Sequence, residues 1–194
     1  MHQYKGRLIL HTGSMFSGKT SSLERDIKRF GIAGYACQIF KPAIDNRSGS
    51  GFISTHDNKK IEALQVRTMG DIVAYCQTHD LEVIGIDEVQ FLEGQVQEVL
   101  QGIEDLLSQG LTLVMAGLDM DYEGLPFECV KEIMPRADYI EKHHAVCAAC
   151  GSDAWVSYRK SQDSQRVVIG ATETYEPLCR ACYKKRLRDL GKEA

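Results

Sequence analysis

Eight residues near the start of the chain, Gly13-Ser14-Met15-Phe16-Ser17-Gly18-Lys19-Thr20, have the types and spacing that hold a polyphosphate. They lie between a short apolar run and a helix-forming run. In that setting the glycines let backbone N–H groups close around an anion, and the helix N-terminus adds partial positive charge. Lys19 can reach the β- and γ-phosphates, and the Thr20 hydroxyl can ligate Mg²⁺. The bland alternative is a glycine turn with a surface lysine, but the full pattern in a strand-to-helix context argues against it. The motif therefore predicts nucleotide binding and leaves the phosphoryl acceptor unnamed.

A second constellation is "LEVIGIDEVQF", Leu81 to Phe91. An acidic residue at the end of an apolar strand is where a P-loop protein places the carboxylate that organises Mg²⁺, and Asp87 fits. Because the chain turns at a strand end, Glu88 can project away from the metal and toward an acceptor. It can then serve as general base for an alcohol or for water. Taken alone, Glu88 also fits a solvated loop carboxylate, and Asp-Glu also fits a hydrolytic ATPase.

The third group is two Cys-x-x-Cys pairs, Cys147 with Cys150 and Cys179 with Cys182. Four thiolates offer a closed tetrahedral site for Zn²⁺ with no open position for catalysis, so the expected role is structural. Redox pairs are the alternative, and the duplicated spacing disfavours them. Cys37, Cys76 and Cys129 lie apart from one another and read as small hydrophobes.

The elements that must position these residues follow a strand, turn and helix alternation. Strands are predicted at Arg7 to His11, Tyr35 to Lys41, Leu81 to Ile86 and Leu111 to Gly117. Helices are predicted at Lys19 to Gly31, Met69 to His79 and Gln95 to Ser108. Pro42 to Asp57 has the composition of a mobile functional loop. Such βα repeats predict a mainly parallel sheet with helices on both faces and a ligand site beyond the carboxyl ends of the strands. From His143 onward the character changes, with too few apolar residues for a separate core. The expected division is therefore a nucleotide-binding α/β domain over 1–142 and a zinc-binding domain over 143–194.

Composition sets outer bounds. With 194 residues, 43% hydrophobic and 26% charged, the chain suits one good core with a small appendage. A net charge of −4 gives no whole-chain field for nucleic acid. No targeting segment or membrane span is evident, which predicts a cytoplasmic protein with no membrane partner.

Taken together, "GSMFSGKT", "FKPAIDNR", "STHD", "IDEVQF", "GLDMDY", "VVIGATETY" and the paired Cys-x-x-Cys closely resemble the thymidine kinases of the type-II, zinc-containing family. The resemblance runs from about Arg7 to Arg186, with the motifs in the family's order. It implies an α/β, P-loop (RecA-like), mainly parallel sheet flanked by helices, and a small C-terminal zinc-ribbon domain carrying a lasso loop. The implied reaction is transfer of the γ-phosphoryl group of ATP to the 5′-hydroxyl of thymidine, with deoxyuridine as a second substrate, in nucleotide salvage for DNA synthesis.

By the same resemblance Glu88 is the proton acceptor and Arg47 the second catalytic residue. Gly13 to Thr20, Asp45, Asp87 and Gln90 fall on the ATP and phosphate side, and Thr20 and Asp87 go with Mg²⁺. Without the family, Arg47 reads as a solvated loop charge, and Met15 and Leu118 as core. The family match puts Met15, Leu118 and Tyr122 around the nucleoside, and Ser157 near the 5-methyl of thymine. Arg166, Val167, Val168, Ile169 and Gly170, followed by Tyr175, match the lasso over the base, tethered by the zinc ligands Cys147, Cys150, Cys179 and Cys182. A homotetramer inhibited by thymidine triphosphate (dTTP) is also implied.

Three positions depart from the family pattern. Ser14 stands where Pro is common, Tyr122 where Phe is usual, and Glu123 where many relatives carry Arg. Two other functions fit part of the chain. One is a P-loop ATPase whose ribbon grips nucleic acid through Lys184, Lys185, Arg186 and Arg188, opposed by the acidic total charge. The other is a nucleotide sensor without turnover, opposed by the intact set of Lys19, Thr20, Asp87 and Glu88.

Overall fold

The computed structural model describes residues 5–43, 63–161 and 173–191, together with the backbone of 52–54 and 60–62. In chain order the elements are β1 (Leu8–Gly13), α1 (Lys19–Ile32), β2 (Cys37–Pro42), β3 (Phe52–Ser54), β4 (Lys60–Glu62), β5 (Leu64–Val66), α2 (Met69–Thr78) and β6 (Val83–Ile86). They continue with α3 (Val96–Ser108), β7 (Thr112–Leu118), α4 (Glu128–Ile133), β8 (Tyr139–His143), β9 (Val156–Arg159), β10 (Tyr175–Leu178) and α5 (Arg180–Asp189).

Six strands form one sheet in the order β5-β2-β6-β7-β1-β8, and every neighbouring pair is parallel. β7 therefore lies between β1, which leads into the phosphate-loop motif, and β6, which ends at Asp87. The predicted strands and helices of this sheet are all present with ends within about two residues, the usual uncertainty of a boundary. The loop expected over Pro42 to Asp57 is corrected in part: Phe52–Ser54 is a strand, paired antiparallel with Lys60–Glu62. Two edge strands, β5 and β8, and the short helix α4 are additions to the predicted set.

Alternation along the strands builds two apolar layers. Leu8 and Leu10 of β1 and Leu113 and Met115 of β7 face Met69 and Ile72 of α2, Val99, Ile103 and Leu106 of α3, and Val130 and Ile133 of α4. Val114 and Ala116 of β7 face the other way, onto Leu23, Ile27 and Phe30 of α1. Both faces are thus covered, as a buried parallel sheet requires. α2 is held at its start by a reciprocal cap between Thr68 and Asp71.

The C-terminal segment is a two-stranded antiparallel ribbon, β9 with β10, followed by α5. Its own buried cluster consists of Cys147, Val156, Leu178 and Tyr183, with Trp155, Tyr158 and Leu187 packed against it.

Candidate functional site

β1 ends at Gly13, which adopts φ 138°, and a Cβ there would stand 2.1 Å from the carbonyl oxygen of His143 on β8. Only glycine fits that approach. Gly18 sits at φ 87° immediately before α1, so the loop turns into the helix N-terminus through a left-handed residue. Phe16 also has positive φ, at 64°. Between them Ser14 is buried, its hydroxyl donates to the Met15 carbonyl at 3.3 Å, and its own carbonyl accepts Lys19 Nζ at 2.7 Å. Ser14 thus ties the turn locally. Ser17 Oγ is buried with no hydrogen-bond partner among the described residues.

The carboxyl ends of β6 and β7 bring the acidic pair to this loop. Asp87 is buried, and the Thr20 hydroxyl lies 3.1 Å from both of its carboxylate oxygens. One residue later the backbone enters the left-handed region, with Glu88 at φ 49°. For a non-glycine residue this conformation is uncommon and strained, and it separates the Glu88 carboxylate from that of Asp87. Gln90 then fixes Glu88: its amide nitrogen donates to Glu88 Oε2 at 2.6 Å, and its amide oxygen accepts the Leu118 N–H at 3.0 Å. A backbone N–H needs an acceptor, so the orientation of the amide is determined by Leu118. Two adjacent carboxylates thereby have different partners, one beside the Thr20 hydroxyl and one beside a neutral amide.

Beyond β7 the chain makes a tight turn. Asp121 Oδ1 accepts the N–H groups of Glu123 and Leu125, each at 3.0 Å, and this presents Tyr122. Partial burial and the Glu123 carboxylate beside it push the Tyr122 phenol up from its ordinary value. The Tyr122 hydroxyl and the Glu123 carboxylate therefore interact with each other. Lys142 offsets the nearby Asp119 at 2.8 Å.

The ribbon docks on this end of the sheet through polar bonds. The Ser157 hydroxyl accepts the Met15 N–H at 2.8 Å, and the Tyr183 hydroxyl donates to the Tyr122 carbonyl at 3.1 Å. The buried Arg159 guanidinium lies 3.7 Å from the centre of the Tyr122 ring and donates to the Tyr175 hydroxyl at 3.0 Å. Arg159 was not among the predicted site residues. The available signal was strand period, since it stands two places after Ser157 on β9 and so shares its face.

Ser157 thus meets Met15, and Tyr122 and Tyr175 are joined through Arg159. Met15 and Leu118 pack on the core cluster, as the core reading of these two expects. Asp45, Arg47 and Arg166 to Gly170 lie outside the described residues.

The four cysteines converge. All four sulfurs lie within 4.8 Å of one another, with Cys150 and Cys179 at 3.7 Å. Sulfurs around a zinc ion at about 2.3 Å stand about 3.8 Å apart, so the cluster is compatible with zinc. The hydroxyl and backbone of Ser152 draw the Cys150 thiol down to about 6, while the neighbouring thiols push Cys182 up to about 12. Thiols this close cannot all ionise without a cation between them. Partial burial raises the Cys129 thiol to about 11.

A parallel sheet closing on a phosphate-loop motif, with a buried carboxylate at the end of the strand two places away, defines a P-loop fold. The fold is shared with the flagellar accessory protein FlaH of Methanocaldococcus jannaschii, at TM-score 0.53 and 13% identity over 77% of this chain and 75% of that one. The family described as Thymidine kinase matches residues 6–183. A thymidine kinase of Bacteroides fragilis is 38% identical over 95% of this chain and 90% of its own length. One of Bacteroides thetaiotaomicron is 37% identical over 97% and 92%. The chain belongs to the thymidine kinase family, and with it to the kinases. Among the described residues no helix is long and apolar enough to cross a membrane.

Proposed function

We propose that the protein transfers the γ-phosphoryl group of ATP to the 5′-hydroxyl of thymidine, and of deoxyuridine as a second substrate, in nucleotide salvage. The observation that carries this reading is the thymidine kinase family match over residues 6–183. The site agrees with it: Asp87 lies on the Thr20 hydroxyl and Glu88 on the Gln90 amide, so the two carboxylates have separate partners, and a base in line with the γ-phosphate can serve an alcohol.

In this reading the loop from Gly13 to Thr20 cradles the phosphates, with Lys19 on the β- and γ-oxygens, and a phosphate oxygen satisfies the buried Ser17 hydroxyl. Thr20 and Asp87 would hold Mg²⁺, which would supply positive charge to offset that developing on the phosphates. Glu88 accepts the 5′-hydroxyl proton as the oxygen bonds to the γ-phosphorus and the bond to the β-phosphate oxygen breaks, releasing ADP. Arg47 and Asp45 serve the transferred phosphate. Met15, Leu118 and Tyr122 wall the nucleoside, Ser157 stands by the 5-methyl group, and 166–170 with Tyr175 covers the base. The four cysteines hold a structural Zn²⁺ that fixes the ends of that cover.

A coupled assay of ADP release tests the reading. Turnover is expected with thymidine and deoxyuridine, with little from uridine, deoxycytidine or no acceptor. ADP release without nucleoside, stimulated by DNA, would replace the kinase reading with an ATPase. Binding of ATP with no turnover on any acceptor would replace it with a sensor. The tetramer and the inhibition by thymidine triphosphate are proposals on the same footing, tested by sedimentation and by adding the triphosphate to the assay.

A further inference from the structure

His11 is fully buried on β1, two residues before the phosphate loop, and its ring is held from both ends. On one side Nε2 lies 3.1 Å from Asp26 Oδ2 on α1. A carboxylate is satisfied only by an N–H, so Asp26 places the proton of the neutral ring on Nε2 and leaves a lone pair on Nδ1. On the other side Nδ1 meets two further ligand-type atoms, His143 Nε2 at 3.0 Å and Glu141 Oε2 at 3.4 Å. These two lie 3.8 Å apart.

The sheet builds this meeting. β1 and β8 are parallel, and their register pairs His11 with Glu141 and Gly13 with His143. Residues 141 and 143 are two apart on one strand, so both side chains take the face on which His11 stands.

Hydrogen bonding accounts for only part of the arrangement. One proton from His143 can satisfy His11 Nδ1, and the Glu141 oxygen then stands against that same nitrogen with no second proton to share.

Three atoms separated by 3.0, 3.4 and 3.8 Å share a point about 2.0 Å from each of them. That is about the bond length zinc makes to imidazole nitrogen and carboxylate oxygen. Two imidazoles with one carboxylate suit a borderline transition cation rather than Mg²⁺ or Ca²⁺, which take oxygen. Asp26 supplies the outer carboxylate that characteristically orients a metal-bound imidazole.

The surrounding charges leave room for a cation. Arg25 lies 3.8 Å from Glu141 Oε2, and Arg29 lies 3.8 Å from Asp26 Oδ1. Both arginine side chains are exposed and can turn into water. A cavity of 280 Å³ lined by Arg25, Asp26 and Glu141, among others, opens beside the carboxylate.

The geometry points to a second metal site, separate from the four cysteines, in which His11, His143 and Glu141 bind a divalent transition cation such as Zn²⁺ or Co²⁺ and Asp26 orients His11. An ion there ties the strand that enters the phosphate loop to the strand that leads into the ribbon. His143 contributes at both levels, since its carbonyl also fills the space that makes Gly13 obligatory.

The test is a metal count on the full chain, stripped and then titrated with Co²⁺, read by absorption, calorimetry and elemental analysis. Two equivalents are expected, one with the intense sulfur-to-cobalt band and one without it. Glu141→Gln and His143→Asn should each lose the second equivalent and keep the first, and the retained sulfur band shows that each variant is folded. Asp26→Asn should weaken the second equivalent by about 10–100-fold, as loss of an outer carboxylate does. A single equivalent in the unaltered chain would overturn the site, as would a second equivalent that survives in both Glu141→Gln and His143→Asn.

Discussion

The six-stranded sheet buries a continuous apolar layer on each face, whereas the ribbon gathers its own cluster around only Cys147, Val156, Leu178 and Tyr183. The sheet's shape follows from burial, the main stabilising term in folding. A cluster as small as the ribbon's needs a further constraint, and four converging sulfurs provide a place for one. The candidate site lies where the two regions meet. Its phosphate side is therefore set by packing, and its opposite side by a ribbon that depends on thiol chemistry. Among the described residues the bonds across the junction include polar ones from Met15 to Ser157 and from Tyr183 to Tyr122.

Changes on the sheet side should act on chemistry and leave nucleoside contacts in place. Glu88→Gln is expected to lower kcat by about 10²–10⁴-fold while ATP affinity stays near its original value. Steady-state kinetics beside ATP titration measure both, and near-normal turnover would remove Glu88 from the base role. Next in size is a pH effect within α1. Burial raises Glu24 to about 7, and its Oε1 has no hydrogen-bond partner among the described residues. The folded state therefore holds this proton more tightly than the unfolded chain. The resulting stability is complete below about pH 4.5 and is lost as pH rises through about 7, on the order of 1–3 kcal/mol. Thermal unfolding across that range should show the decline, and Glu24→Gln should flatten it.

Changes at the junction should be smaller and should reach both regions. Ser157→Ala leaves the Met15 N–H without its acceptor, at about 1–3 kcal/mol. Thermal unfolding should show the loss, and Ser157→Thr, which keeps the hydroxyl, should restore most of it. Tyr122→Phe is expected to cost less than about 1 kcal/mol, because the hydroxyl's neighbour is the exposed Glu123 carboxylate. A large loss of thymidine affinity in Tyr122→Phe would instead give that hydroxyl a direct place in the pocket.

The same division explains what could be read in the sequence. β1, β6 and β7 announce themselves as apolar runs because both of their faces are covered, and α1 and α3 by their apolar periodicity. β8 runs Tyr-Ile-Glu-Lys-His at the sheet edge with most of its residues exposed or half-buried, so no apolar run marks it. β5 has three residues, too few for a period to show. The phosphate loop, the acidic pair and the cysteines were legible because each is a local pattern. The Gln90 bridge to Leu118 was not, since it depends on strand order, which no local spacing encodes. Nor was the meeting of His11 with His143, 132 positions apart in the chain. Arg159 was accessible through strand period alone, yet a buried arginine between two tyrosines is visible only once β9 and the Tyr122 turn are in place.

The claim that burial sets the phosphate side and the ribbon completes the nucleoside side is tested most directly by Cys150→Ser, with ATP and thymidine affinities measured separately. The account predicts loss of zinc, thymidine affinity weaker by about tenfold or more, and ATP affinity changed by less than about twofold. Unchanged thymidine affinity after zinc loss, or an equal fall for ATP, would contradict it.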